Sequence, residues 1–293
     1  MGNCRFCGQS AGWLKDTHDA CKIKAQAGVT EIGAVISNAV GDVMQDKAPD
    51  VQSAIEKIKV ANIVPDDAAR KAIIESWSVA ASDAALKEPL SQQRELALLK
   101  LYEDAGLSAE QMKKTEGFRA VVFSVLLWAI VNNDEDFYTN AMVSQNPFNL
   151  KSGEIPIAYF GSVVYSQEAT TKSYEGGYGG LSVRVLPGVY SHFGGFKGQP
   201  VETTAMKEVD YGGLLLTTRS LYFGGQHTTF CVPFSSVLAF RPRPDGIGVS
   251  RSANHGKPEV FSMLMPGADG NAAPASPTYG WFLFNAVHFL AAK

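Results

Sequence analysis

Cys4, Cys7, His18 and Cys21 read C-x2-C-x10-H-x2-C, and they include three of the four cysteines in this 293-residue chain. Zinc takes four nitrogen or sulfur ligands in a tetrahedron, and two close pairs on one short segment can supply all of them. Gly8 follows the first pair, where a residue without Cβ lets the backbone turn so that both sulfurs face inward. Asp16 and Thr17 are helix N-cap types, so the spacing predicts His18 and Cys21 on one face of a first helical turn. With four protein ligands the expected Zn2+ is structural, because no position stays open for a reactive water. Other readings of the motif are a metal-free reduced cluster and a disulfide in a secreted protein. No leader precedes residue 4, so the expected setting is cytoplasmic, where disulfides are disfavoured.

A turn-borne pair facing a helix-borne pair resembles a small treble-clef zinc finger. No second constellation points to catalysis, and the catalytic set is expected to be none. Cys231 sits in an apolar strand context, Phe230-Cys-Val, as a small buried hydrophobe would. His192, His227, His255 and His288 share no spacing, and His288 falls on a helix face with Asn285 and Trp281. The run Gly176-Gly-Tyr-Gly-Gly180 precedes a strand and lacks the lysine of a phosphate loop, so it reads as a hairpin tip. Asn132–Asp136 lacks the spaced ligands and distal glutamate of a calcium loop and reads as a solvated helix end.

The elements that must position these residues follow from composition and periodicity. An apolar fraction of 45% with 19% charged residues indicates folded globular material. The net charge of −3 supplies no global attraction to nucleic acid or anionic lipid. The longest apolar run, Ala120–Val131, is well short of the roughly 20 residues that span a bilayer. Gly2 is followed by Phe6 where myristoylation prefers Ser or Thr.

Residues 29–140 read as all-helical. Ile32, Val35, Ile36, Ala39, Val40 and Val43 follow the i, i+3, i+4, i+7 pattern. Asp50, Pro65-Asp66 and Ser91 open further helices, and Ser108 with Gln111 forms a capping box. Gly117 precedes Phe118–Val131, which lacks the polar face an interfacial helix needs and is expected to be a buried central helix.

From Pro147 onward alternation replaces the helical period. Expected strands are Ile155–Tyr165, Leu181–Leu186, Val189–Phe193, Leu214–Phe223, Thr228–Phe234, Val237–Arg241, Gly246–Arg251 and Glu259–Leu264. Gly224-Gly225 and Asp245-Gly246 are turn signals, Pro266–Pro277 reads as a loop, and Tyr279–Ala292 as an apolar terminal helix. Gly213-Leu-Leu-Leu-Thr-Thr-Arg-Ser-Leu-Tyr-Phe-Gly224 resembles the "G-x-L-x-L-T-x-x-R-L-x-F-x-G" strand of GRAM and bacterial pleckstrin-homology domains. Val232-Pro-Phe-Ser-Ser-Val-Leu-Ala239, Asp245-Gly-Ile-Gly-Val249 and Asn149-Leu-Lys-Ser-Gly-Glu154 are similar to that family's next strand, following hairpin and opening segment. The helical middle resembles, in architecture alone, the tellurite-resistance-type bundle, whose acidic metal site is not carried over.

These resemblances imply an α+β multidomain chain. A zinc finger would occupy 1–28 and a helical domain 29–140. Residues 147–293 would form a pleckstrin-homology-like, partly open β-barrel capped by the terminal helix, with a Gly-rich insertion at 167–211. The clustered basic loop with which some family members grip phosphoinositides is missing, so lipid binding does not carry over.

Arg241, Arg243, Arg251 and Lys257, with His255, are the one basic group in the strand-rich half. They read as a solvated strand edge or as a contact for phosphate or an acidic partner. The function expected from the sequence is a non-enzymatic bacterial cytosolic adaptor that binds a protein partner or self-assembles. A nucleic-acid module is the alternative, using Arg5, Lys15, Lys22 and Lys24 around the finger. Recruitment to a membrane surface through the barrel is a third reading.

Overall fold

The structure is a computed structural model that describes residues 2–12, 15–140, 147–186, 189–267 and 270–293, with side chains at all of these except 139–140, 170–186 and 189–203. Residues 187–188, in the expected Gly-rich segment, and 268–269, in the expected Pro266–Pro277 loop, lie outside the described residues. The chain is α+β. A two-stranded hairpin, β1 (Gly2–Asn3) and β2 (Ser10–Gly12), leads into α1 (Asp19–Met44). The helices α2 (Gln52–Asn62), α3 (Asp66–Lys87), α4 (Gln92–Asp104), α5 (Ala109–Met112), α6 (Glu116–Asn132) and α7 (Glu135–Asn140) follow. Next come β3 (Pro156–Leu186), β4 (Val189–Thr217), β5 (Ser220–Gly225), β6 (Thr229–Pro233), β7 (Val237–Arg243), β8 (Gly246–Arg251), β9 (Pro258–Pro266), β10 (Ala272–Pro274) and α8 (Pro277–Ala291).

Three helix starts, those of α4, α5 and α6, are capped by side chains. Ser91 Oγ accepts the Arg94 N–H, Thr115 Oγ1 accepts the Phe118 N–H, and the Ser108–Gln111 box is formed. The helical core gathers around Trp77, whose Nε1 donates to the Leu98 carbonyl at 3.1 Å and whose ring meets Tyr102 edge-on at 5.0 Å. Helix α1 packs on α2, α3 and α4, and α6 packs on α3, α4, α7 and α8. Gly117 makes the α3 crossing possible, since a Cβ there would come within 2.6 Å of the Ser78 carbonyl oxygen.

The expectation of a buried central helix holds for α6. Ala120, Val121 and Val125 enter the helical core, while Leu126, Leu127, Ala129 and Ile130 enter the core of the sheet. Its one fully buried hydroxyl, Ser124, accepts the Leu90 N–H at 3.0 Å and donates to the Ala85 carbonyl at 2.9 Å. Phe123 stacks on Phe282 of α8 at 4.5 Å, and Glu116 accepts the hydroxyls of Ser276 and Thr278.

The large sheet is antiparallel, in the order β6-β5-β4-β3-β9-β8-β7, with β10 added on β9. Among the described residues it does not close on itself, and β6 and β7 are its end strands. Several strand expectations need correction. Leu214–Phe223 is two strands, because the Thr217 hydroxyl accepts the N–H groups of Arg219 and Ser220 and turns the chain between β4 and β5. Ile155–Tyr165 and Leu181–Leu186 are one strand, β3, and Gly176–Gly180 lies inside it opposite Gly194–Gly198 rather than at a hairpin tip. The Pro266–Pro277 loop contains β10, whose Ala272–Pro274 pairs with Leu264–Pro266.

Asp210 fixes the β5–β6 turn. Its carboxylate is 3% exposed and accepts the N–H groups of Tyr211, Gln226, His227 and Thr228 at 2.8 to 3.1 Å. Burial raises its pKa, but those amides outweigh burial and hold the carboxyl far below the usual carboxylate range. Its stabilising contribution is therefore complete above the unfolded value of about 4 and is lost as pH falls from there toward the native value. Asp210→Asn is expected to lower the thermal midpoint at neutral pH, with the difference from wild type narrowing below about pH 4. Parallel melts across that range test the sign. Leu127→Ala, at a side chain 2% exposed, is expected to cost about 2–5 kcal/mol. Because α6 belongs to both cores, helix and sheet signals should shift together in one denaturant transition.

Candidate metal centre

The finger is assembled from a knuckle and a helix start. In the knuckle the Cys4 carbonyl accepts the Gly8 N–H at 2.8 Å, and the Cys4 N–H donates to Gln9 O at 2.7 Å. Gly8 has φ +72°, a left-handed conformation that favours glycine, in the turn expected there. β1 and β2 pair across this turn, and the Arg5 N–H reaches Asp16 O at 3.0 Å, tying the knuckle to the segment before α1.

The expected cap needs a correction. His18, not Asp16 or Thr17, occupies the N-cap of α1, and its side chain makes no capping bond. Its ring is used elsewhere: Nε2 lies 2.9 Å from the Ser10 carbonyl. A carbonyl can only accept, so Nε2 carries the proton and Nδ1 presents its lone pair to the sulfurs. Cys21 sits in the first turn of α1, three residues after His18.

All four ligand atoms, one each from Cys4, Cys7, His18 and Cys21, lie within 4.8 Å of one another. His18 Nδ1 is 3.5 Å from Cys7 Sγ and 3.6 Å from Cys21 Sγ. A tetrahedron with metal–sulfur bonds of about 2.3 Å has edges near 3.8 Å, so the observed spacings fit one enclosed metal ion. The four residues could hold a metal ion. The thiols also differ among themselves. Burial raises Cys4, but the amides of Cys7, His18 and Phe6 outweigh burial and bring it down to about 6. Burial pushes Cys21 up to about 11, helped by the sulfurs of Cys7 and Cys4.

Around the knuckle, Arg5 stacks over the Phe6 ring at 5.1 Å. Arg5 and Lys22 line a cavity of about 400 Å³ with Phe6, Val29, Pro65 and Asp67, where the finger meets α1 and α3. Lys15 pairs with Asp19 at 3.6 Å, and Lys24 is exposed.

The basic group of the sheet is divided. Arg241 and Arg243 are exposed on the end strand β7, and Arg243 lies 3.6 Å from Asp245. Lys257 and His255 are exposed in the turn before β9. Arg251 turns to the interior. Its Nε and Nη2 donate to the fully buried Glu259 at 2.6 and 2.8 Å, with the guanidinium over Phe230 at 4.9 Å. Glu259 also accepts from Tyr165 Oη at 2.5 Å and Gln167 Nε2 at 3.2 Å. The sequence reading missed this network, whose members come from β3, β8 and β9 and share no motif.

Cys231 is half-buried in β6, opposite Tyr222. His288 is exposed on α8 between Phe284 and Phe289, at 6.4 and 5.7 Å, as a rim histidine. His227 follows β5, and the side chain of His192 lies outside the described residues. No family model, curated protein or solved structure matches the chain.

Purified protein titrated with Zn2+ is expected to take one equivalent, and Cys4→Ser or Cys21→Ser to lose stoichiometric loading. Cys21 is neutral near pH 7, so binding must expel its proton. Apparent affinity should then rise roughly tenfold per pH unit for each proton displaced between about pH 7 and 9. An affinity flat across that range would contradict the assigned thiol states.

Proposed function

We propose that the chain is a non-enzymatic adaptor in which a structural zinc ion folds the finger and the sheet presents a protein-binding edge. The zinc identity rests on the donor set, since three thiolates and one imidazole at tetrahedral spacing suit Zn2+ better than hard, oxygen-seeking cations. The pleckstrin-homology-like reading is supported by the meander order of the sheet, in which the first long strand lies beside the last, and by α8 packing on β7 and β8. A partly open barrel remains part of this proposal.

The observation that carries the adaptor reading is the edge of β7. Among the described residues no strand pairs on its outer side. Leu238 is 66% exposed there, Ala239 is exposed, and Arg241 and Arg243 follow on the same strand. An extended partner segment would add by main-chain hydrogen bonds, seat an apolar side chain near Leu238 and place acidic residues toward the arginines. A nucleic-acid reading draws on Arg5 and Lys22 beside the finger cavity, with exposed Lys24 near them.

Affinity purification from native cells with full-length protein, Arg241→Glu/Arg243→Glu, and Cys4→Ser/Cys21→Ser tests these readings together. Charge reversal on β7 is expected to weaken capture of an acidic protein partner roughly tenfold at low salt, with the metal content unchanged. Partner binding indifferent to that reversal would remove the edge reading. Salt-sensitive nucleic acid lost only in the cysteine variant would favour the finger instead.

A further inference from the structure

We propose that Cys7 and Cys21 form an oxidation site, where hydrogen peroxide closes a disulfide between the two sulfurs and expels the metal from the finger. Resting on the structural-zinc reading above, this adds a reaction to the same site. All four cysteines are free thiols, and three of them are gathered at one point. The fourth, Cys231, stands apart in β6.

Access separates the three gathered thiols. Cys4 is 1% exposed, and the amides of Cys7, His18 and Phe6 hold its sulfur. Cys7 and Cys21 are only half-buried, so a small neutral oxidant can reach them. Both sulfurs lie against one nitrogen, His18 Nδ1, at 3.5 and 3.6 Å. They are within 4.8 Å of each other, so a sulfur–sulfur bond of about 2 Å needs a shift of less than about 3 Å. Cys7 belongs to the knuckle and Cys21 to the first turn of α1. Their bond would staple together the two halves that a metal otherwise joins.

The chemistry balances with peroxide as the only co-reactant. In the loaded finger both sulfurs are thiolates, so access rather than acidity decides which react. One thiolate attacks a peroxide oxygen, breaks the O–O bond and becomes a sulfenic acid with release of hydroxide. The second thiolate attacks that sulfur, forms the S–S bond and expels a second hydroxide. The two sulfurs together lose the two electrons that peroxide gains. Cys4 and His18 are then the remaining ligands, half of what a structural site needs, and the finger no longer retains its metal. Two electrons from a thiol reductant restore the pair. In a reducing compartment a disulfide of this kind is transient and reports oxidant.

Full-length, zinc-loaded protein treated with one equivalent of hydrogen peroxide tests this. A chromogenic chelator reads released zinc, thiol titration after denaturation counts the cysteines, and peptide mass mapping locates the crosslink. One zinc should be released as the thiols fall from four to two, with Cys7 joined to Cys21. A thiol reductant with added Zn2+ should reverse all three readouts. Cys231→Ser should respond as wild type does, one thiol lower throughout. A crosslink through Cys4 overturns the proposal, as does a disulfide formed with zinc retained. Wild type left unchanged by peroxide, or carried to sulfinic acid without a crosslink, overturns it too. The zinc reading is judged apart, by metal content before peroxide is added. Protein that holds no zinc yet joins Cys7 to Cys21 would strike that reading and leave the oxidation site standing.

Discussion

The organisation of this protein turns on α6, a helix with no polar face. Such a helix is buried over most of its circumference, and here Val122 and Val131 are its exposed apolar residues. The chain meets this constraint by giving its first turns to the helical core and its last turns to the sheet. Ser124 shows how tightly the enclosure is made: its one hydroxyl serves backbone groups near the end of α3 that would otherwise be buried without partners. Glu116, at the start of the same helix, takes the hydroxyls that lead into α8. Helical segment and sheet are thus built around one shared element, and neither core is complete without it.

The finger stands in a different relation to the rest. Among the described residues before α1, Cys4 and Ala11 are its buried hydrophobic residues. Its order comes from backbone hydrogen bonds in the knuckle and from four side chains aimed at one point. α1 joins it to the helical core: the helix begins at the ligands and runs unbroken to Met44. A metal at the start of such a helix would set the orientation of the knuckle against α1 and α3, where the cavity lined by Arg5 and Lys22 forms.

Much of this was legible in the sequence wherever the signal was local. Ligand spacing, Gly8 after the knuckle, the Ser108–Gln111 box and the unbroken apolar run of α6 each depend on residues a few positions apart. What was not legible depended on how strands and turns pair. Arg251 looked like part of a surface group until β9 set Glu259 beside it, and Asp210 carried no signal until the β5–β6 turn folded over its carboxylate. His18 was misassigned in part because capping rules concern helix propensity, whereas its ring is held by Ser10 and turned toward the sulfurs. The Gly-rich run was read as a tip because glycine usually marks turns, yet glycine also lies inside a strand where no side chain is needed for packing.

β7, one of the two end strands of the sheet, and the outer stretch of β3 differ in physical character. β7 is short, and its charge is concentrated in Arg241 and Arg243 beside Pro242. An edge of that kind resists its own copy, because two copies would bring arginines together, and it accepts an acidic strand of opposite character. The outer stretch of β3 is long, regular in register and nearly neutral, so it lacks those defences against self-pairing.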